Sequence, residues 1–64
     1  MEIFIEQSNK FLKKKFTGKV IELLSLLKIN PGEVLVVRNK ELLIEEDELL
    51  DSDSIRILSV ISGG

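Results

Sequence analysis

The residues of this chain with the clearest chemical handle are the last ones. Arg56-Ile57-Leu58-Ser59-Val60-Ile61-Ser62-Gly63-Gly64 carries an apolar strand straight into two glycines and a free carboxylate. Chain ends usually fray and carry nothing. At an average glycine usage of roughly 7%, two successive terminal glycines arise by chance in about one chain in two hundred. Glycine has no side chain and accepts backbone angles closed to other residues, so Gly63-Gly64 is a thin, adaptable tether for presenting a carboxylate inside an enzyme's channel. The working group would be the carboxylate of Gly64, with Gly63 keeping the approach narrow.

The rest of the chain offers few competitors for that role. Its 64 residues contain no cysteine and no histidine, which removes disulfides, thiolate chemistry, the usual zinc sites and histidine general bases. No metal site and no catalytic residue is expected within the chain. A domain of this length buries only about 60% of its unfolded surface, so an enclosed catalytic pocket is not expected and a module is favoured over a complete enzyme. Hydrophobic residues at 44% and charged residues at 31% support a globular core rather than a disordered tail. A net charge of −2 gives no field for gripping a phosphate backbone. No apolar run approaches the roughly 20 residues that cross a bilayer, and no leader precedes the first strand. The expectation is one soluble, cytoplasmic domain over residues 1–64, with no nucleic-acid or membrane partner.

The elements that must position the tail follow from periodicity. Met1, Ile3 and Ile5 alternate with Glu2, Phe4 and Glu6, the period of a half-buried strand with the first set inward. Phe4 falls on the outer face, as ordinary exposed surface or as part of a docking patch. Gln7 to Lys10 supplies a turn, and the run from Phe11 to Phe16 makes a second strand, whose Lys13-Lys14-Lys15 suits a sheet edge kept soluble and unpaired. The period then changes: Val20, Leu23, Leu24 and Leu27 form a helical stripe widened by Ile21 and Leu26, with Thr17 a possible N-cap and Lys28 complementing the C-terminal dipole. Asn30-Pro31-Gly32 ends the helix, and Pro-Gly fits the centre of a type II turn.

Val34 to Val37 reads as a strand inside the sheet, and Asn39-Lys40 as a tight hairpin into a short strand from Glu41 to Ile44. The acidic run Glu45 to Glu48 is a solvated turn or a docking face for a basic partner, and Leu49-Leu50 ties that region to the core. Asp51-Ser52-Asp53-Ser54 is a turn whose short side chains bond their own backbone. In the last strand Ile55 and Ile57 point inward, with Arg56, Leu58 and Val60 opposite. The order strand, strand, helix, strand, strand, strand gives an α+β fold in which one helix covers a mixed sheet of four to five strands. Right-handed connections allow the first and last strands to lie parallel at its centre, which is a β-grasp, or ubiquitin-like, arrangement.

Particular residues also carry a resemblance. Met-Glu-Ile-Phe-Ile-Glu resembles the opening of ubiquitin, and Val20-Ile21-Glu22-Leu23-Leu24 resembles the helix of small sulfur carriers. The stretch from Asp51 to Gly64 resembles, without a gap, the Asp-Gly-Asp turn, apolar strand and Gly-Gly tail of the ThiS and MoaD family, and its Val-Ile-small-Gly-Gly ending is nearer ThiS. Ser52 stands where that family usually has glycine.

The resemblance implies a carrier and not an enzyme, with no cofactor bound. An E1-like adenylating enzyme of the ThiF/MoeB type, using ATP, would activate Gly64. A cysteine-derived persulfide would act as sulfur donor and leave a thiocarboxylate for a sulfur-accepting synthase in thiamin, molybdopterin or tRNA sulfur chemistry. Activation must come first, because a carboxylate would have to expel oxide whereas an acyl adenylate expels AMP. Val60, Ile61 and Ser62 would set the tail's exit from the sheet. Phe4, Leu58 and Val60 would form an apolar patch that docks on the activating enzyme. A second class stays open, a ubiquitin-like modifier joined to lysines through Gly64, and a third, an interaction domain whose terminal glycines are incidental.

Overall fold

A computed structural model describes residues 1–60 of the chain; Ile61, Ser62, Gly63 and Gly64 lie outside the described residues. The first strand, β1 (Glu2–Ile5), turns back through Asn9, whose positive φ of 52° suits an asparagine, into β2 (Lys10–Lys13). Two-residue β3 (Gly18–Lys19) leads directly into helix α1 (Val20–Leu26). Then come β4 (Val34–Arg38), β5 (Glu41–Leu43), two-residue β6 (Glu48–Leu49) and β7 (Ser54–Ser59). Five of these strands form one sheet in the order β2-β1-β7-β4-β5, and β3 pairs with β6 in a small second sheet. β1 and β7 are parallel, and the other neighbours are antiparallel. This is the expected β-grasp: a mixed five-stranded sheet with one helix over it. Lysine-bearing β2 is an edge strand, as expected, although it ends at Lys13 and not at Phe16.

The core lies between α1 and the inner sheet face. Ile3, Val36, Leu43, Ile55 and Ile57 come from the sheet, Val20, Leu23 and Leu24 from the helix, and Leu49 from β6. Each large side chain moved from water into such a core contributes about 1.5–3 kcal/mol, which is how a domain with so little interior reaches a stable fold. Met1, Ile5 and Leu27 pack around it partly buried. Leu26 and Leu50, expected at the core, are 52% and 59% exposed. Leu26 sits on the outer side of a seven-residue helix, and Leu50 follows the strand that inserts Leu49.

The helix ends are built differently from expectation. The N-cap is Lys19 rather than Thr17, because Gly18 and Lys19 are held extended against Leu49 and Glu48. Lysine has no acceptor to offer the helix. The acidic loop supplies the acceptors: the Val20 and Ile21 N–H groups donate to the Asp47 and Glu45 carbonyls, each at 3.0 Å. Glu22 Oε1 in turn accepts the Lys19 N–H at 2.8 Å. The run Glu45 to Glu48 is therefore a structural cap through its backbone. Gly18 has a φ of 157°, which other residues rarely adopt, and a side chain there would also meet that Glu22 oxygen at 2.7 Å, so glycine is favoured at this position.

At the other end Lys28 lies past the last turn, with φ of 60°. The Ile29 and Lys28 N–H groups donate to the Leu24 and Ser25 carbonyls at 2.8 and 3.1 Å, a Schellman closure with lysine in the glycine position. Pro31–Glu33 forms a 3₁₀ turn rather than a type II turn. The Asn30 side chain accepts the Gly32 N–H at 2.9 Å, which stabilises that tighter geometry. Asn39 and Lys40 both have positive φ, 51° and 65°, so the β4–β5 hairpin is type I′ despite lacking glycine.

Candidate functional site

Two features of the sequence point to function, the outer sheet face and the tail, of which Val60 is the one described residue. The Val60 N–H donates to the Glu33 carbonyl at 3.0 Å, which extends the β7–β4 pairing by one residue, to the last described position. Val60 is 45% exposed. The residues expected to carry the chemistry, Gly64 and Gly63 with Ser62 and Ile61, lie outside the described residues.

Phe4, Leu58 and Val60 all lie on the sheet face away from the helix, and Phe4 and Leu58 are half-buried there. They do not touch as a simple trio. Directly opposed residues on neighbouring strands share a face, and the register opposes Phe4 to Phe11 on β2 and to Arg56 on β7. It opposes Arg56 to Val37 and Leu58 to Leu35 on β4, and Val37 to Leu42 on β5. One row across the outer face, Phe11, Phe4, Arg56, Val37 and Leu42, is thus apolar on either side of Arg56, while Glu2, Lys13 and Ser54 form a polar row on the same face. The Arg56 guanidinium lies 5.9 Å from the Phe4 ring centroid and donates to Glu6 Oε2 at 2.7 Å.

Sequence reasoning missed Phe11, Leu35, Val37 and Leu42 as members of this surface. Phe11 and Leu42 are 58% and 57% exposed. The signal was present in the alternation within Val34 to Val37: once Val36 is placed inward, Leu35 and Val37 must point out.

The opposite end of β7 carries a different cluster. An open depression of about 540 Å³ is bordered by Lys13, Lys14, Lys15, Asp51 and Asp53, but it lies at the far end of β7 from Val60 and mixes both signs of charge. Its aspartates work for the fold. Asp51 accepts the Phe16 N–H at 2.8 Å, and that bond is the main cause holding its carboxyl below the ordinary value. Asp53 accepts the Leu50 N–H at 2.8 Å and an Arg38 N–H at 3.0 Å, and these two, in that order, lower its pKa.

No family model matches the chain. Among individual proteins it is similar to the sulfur carrier protein TtuB of Thermus thermophilus, with 49% identity over 43 residues. The match spans 67% of this chain and 66% of that protein's length. The fold is similar to the solution structure of a thiamine biosynthesis protein from Geobacter metallireducens, with a TM-score of 0.60 and 29% identity. That likeness covers 100% of this chain and 88% of the other. In sequence and in fold the chain is similar to sulfur carriers of the ThiS/MoaD type. The expected fold and the expected likeness to ThiS therefore stand together. Among the described residues, no helix is long and apolar enough to cross a membrane.

Proposed function

We propose that this chain is a sulfur carrier of the ThiS/MoaD type and carries sulfur on the carboxyl carbon of Gly64. The Gly64 carboxylate attacks the α-phosphorus of ATP in an E1-like enzyme of the ThiF/MoeB type, forming the acyl adenylate and releasing pyrophosphate. A cysteine-derived persulfide then displaces AMP, and reductive release by a thiol leaves the thiocarboxylate. A synthase takes that sulfur into a cofactor such as thiamin or molybdopterin, or into tRNA. The catalytic groups belong to the partner enzymes, this chain being their substrate, and the ATP is theirs.

The observation that carries this reading is the pairing of a Gly-Gly terminus with 49% identity to a protein named as a sulfur carrier. Geometry supports it in one further respect. Four residues separate Val60 from the end of the chain, and they can span at most about 14 Å. On this reading the partner's nucleotide would lie within that reach of Val60, and docking would use the adjoining outer face at Phe4, Leu58 and Val60.

The test is mass spectrometry after incubation with ATP, the activating enzyme and a persulfide donor. The wild-type chain is expected to gain the mass difference of sulfur for oxygen, localised to Gly64. Deleting Gly63-Gly64, or adding one residue after Gly64, is expected to abolish the gain. Isopeptide linkage of Gly64 to lysines with no detectable thiocarboxylate would replace the carrier by a protein modifier. Full function after the deletion would make the glycines incidental.

A further inference from the structure

A partner that covers Phe4 and Leu58 must also cover Arg56. The register sets Arg56 between Phe4 and Val37, with Phe11 and Leu42 beyond them on either side. Before any partner arrives, the guanidinium already has a charge partner: Glu6 Oε2 is 2.7 Å away, the short end of charge-assisted hydrogen bonds. With side chains 61% and 50% exposed, the pair adds little to the stability of the free protein. Its weight falls on what happens when the face is desolvated.

Covering a lone guanidinium is costly, so a partner has two options: supply a carboxylate to Arg56, or accept Arg56 and Glu6 together as a neutral unit. The position of Glu6 decides between them. The Glu6 N–H donates to the Ile57 carbonyl at 3.0 Å, anchoring its backbone to β7, and Glu6 and Leu58 border the same shallow depression. A partner carboxylate aimed at Arg56 would arrive beside Glu6, under the same cover, leaving two acids to share one guanidinium. A second copy of this chain is no better an occupant. A two-fold stack of outer faces centred on β7 sets Arg56 against its own copy.

Resting on the docking proposed above, we infer that the Arg56–Glu6 pair enters the interface intact and that the face is matched to a surface of the activating enzyme that is apolar and has no carboxylate opposite Arg56. The pair is a specificity device. It admits a neutral apolar surface and opposes one bearing an acid at that point.

The experiment is a double-mutant cycle on affinity for the purified activating enzyme, with Glu6→Gln, Arg56→Met and both together. Thermal melts check that each variant is folded. Each single change strands a charge under the partner and is expected to weaken binding by about tenfold or more. The double variant, which strands none, is expected to return to within about threefold of wild type.

Wild-type or tighter affinity for Glu6→Gln, with the double variant no better than Arg56→Met, would overturn the inference in favour of a partner carboxylate. Equal affinity for all four proteins would place the pair outside the interface. A folded Phe4→Ser/Leu58→Ser variant measured alongside separates the two levels. If it weakens while the cycle is flat, only the role of the pair has failed. If it too binds like wild type, the docking face itself has failed.

Discussion

Asp53 joins three segments with one oxygen. Its Oδ2 accepts from the Leu50 N–H and from Arg38 Nη1, and the same Nη1 donates to the Glu48 carbonyl at 3.1 Å. Because the folded pKa lies below the ordinary value of 3.8, the ionised form is the one that folding favours. That stability is fully present above the unfolded value and drains away as pH falls through 3.8 toward the lower folded value. Asp53→Asn is therefore expected to lower the melting temperature at neutral pH and to flatten its fall in acid. Melting curves from about pH 7 to 2 would check this, with Asp51, lowered in the same direction, adding to the slope that remains. At this scale the sequence was half legible. An Asp-Ser-Asp-Ser cluster predicts side chains bonded to their own backbone, as Asp53 is to Leu50. It says nothing of Arg38, whose arrival depends on where β4 ends.

Helix α1 is the element whose loss would cost most, since three of its seven residues, Val20, Leu23 and Leu24, are almost fully buried. Leu24→Ala is expected to cost about 2–5 kcal/mol, read from denaturant titration as a lowered midpoint at unchanged slope. Against the typical 5–15 kcal/mol of a whole domain, that is a large share. The inward stripe was legible because a 3.6-residue period is a local property. The caps were not, because the Val20 and Ile21 N–H groups are satisfied by the carbonyls of Asp47 and Glu45, far along the chain in a loop whose composition advertises only charge. The Schellman closure at Lys28 escaped for the opposite reason: its usual mark is glycine, and here a lysine adopts the left-handed angle. In the sheet, parity placed Ile55 and Ile57 correctly. Membership of the outer face required the register between strands, which no single strand contains.

For the molecule as a whole, every fully buried core residue among those described lies between Ile3 and Ile57. Removal of Gly63-Gly64 is accordingly expected to leave the melting temperature unchanged while ending sulfur loading, a separation readable by calorimetry on the same sample used for mass spectrometry. The expectation comes from the sequence, because a glycine pair brings nothing to a core and would suit a narrow channel. The topology that unites the chain has a kinetic side as well. β7 lies between β1 and β4 at the centre of the sheet, and its Arg56 meets a Glu6 that is 50 residues away along the chain. Of these strands, a ribosome makes β1 first and β7 last. The two hairpins, β1 with β2 and β4 with β5, can pair as soon as each is made, but no strand pairing joins them until β7 arrives between them. The loop that then closes is most of the polypeptide, so the sheet gains its centre in one late step. Throughout synthesis the half-built hairpins keep their apolar faces open to water and to other chains, which is the interval in which this small domain is most exposed to aggregation.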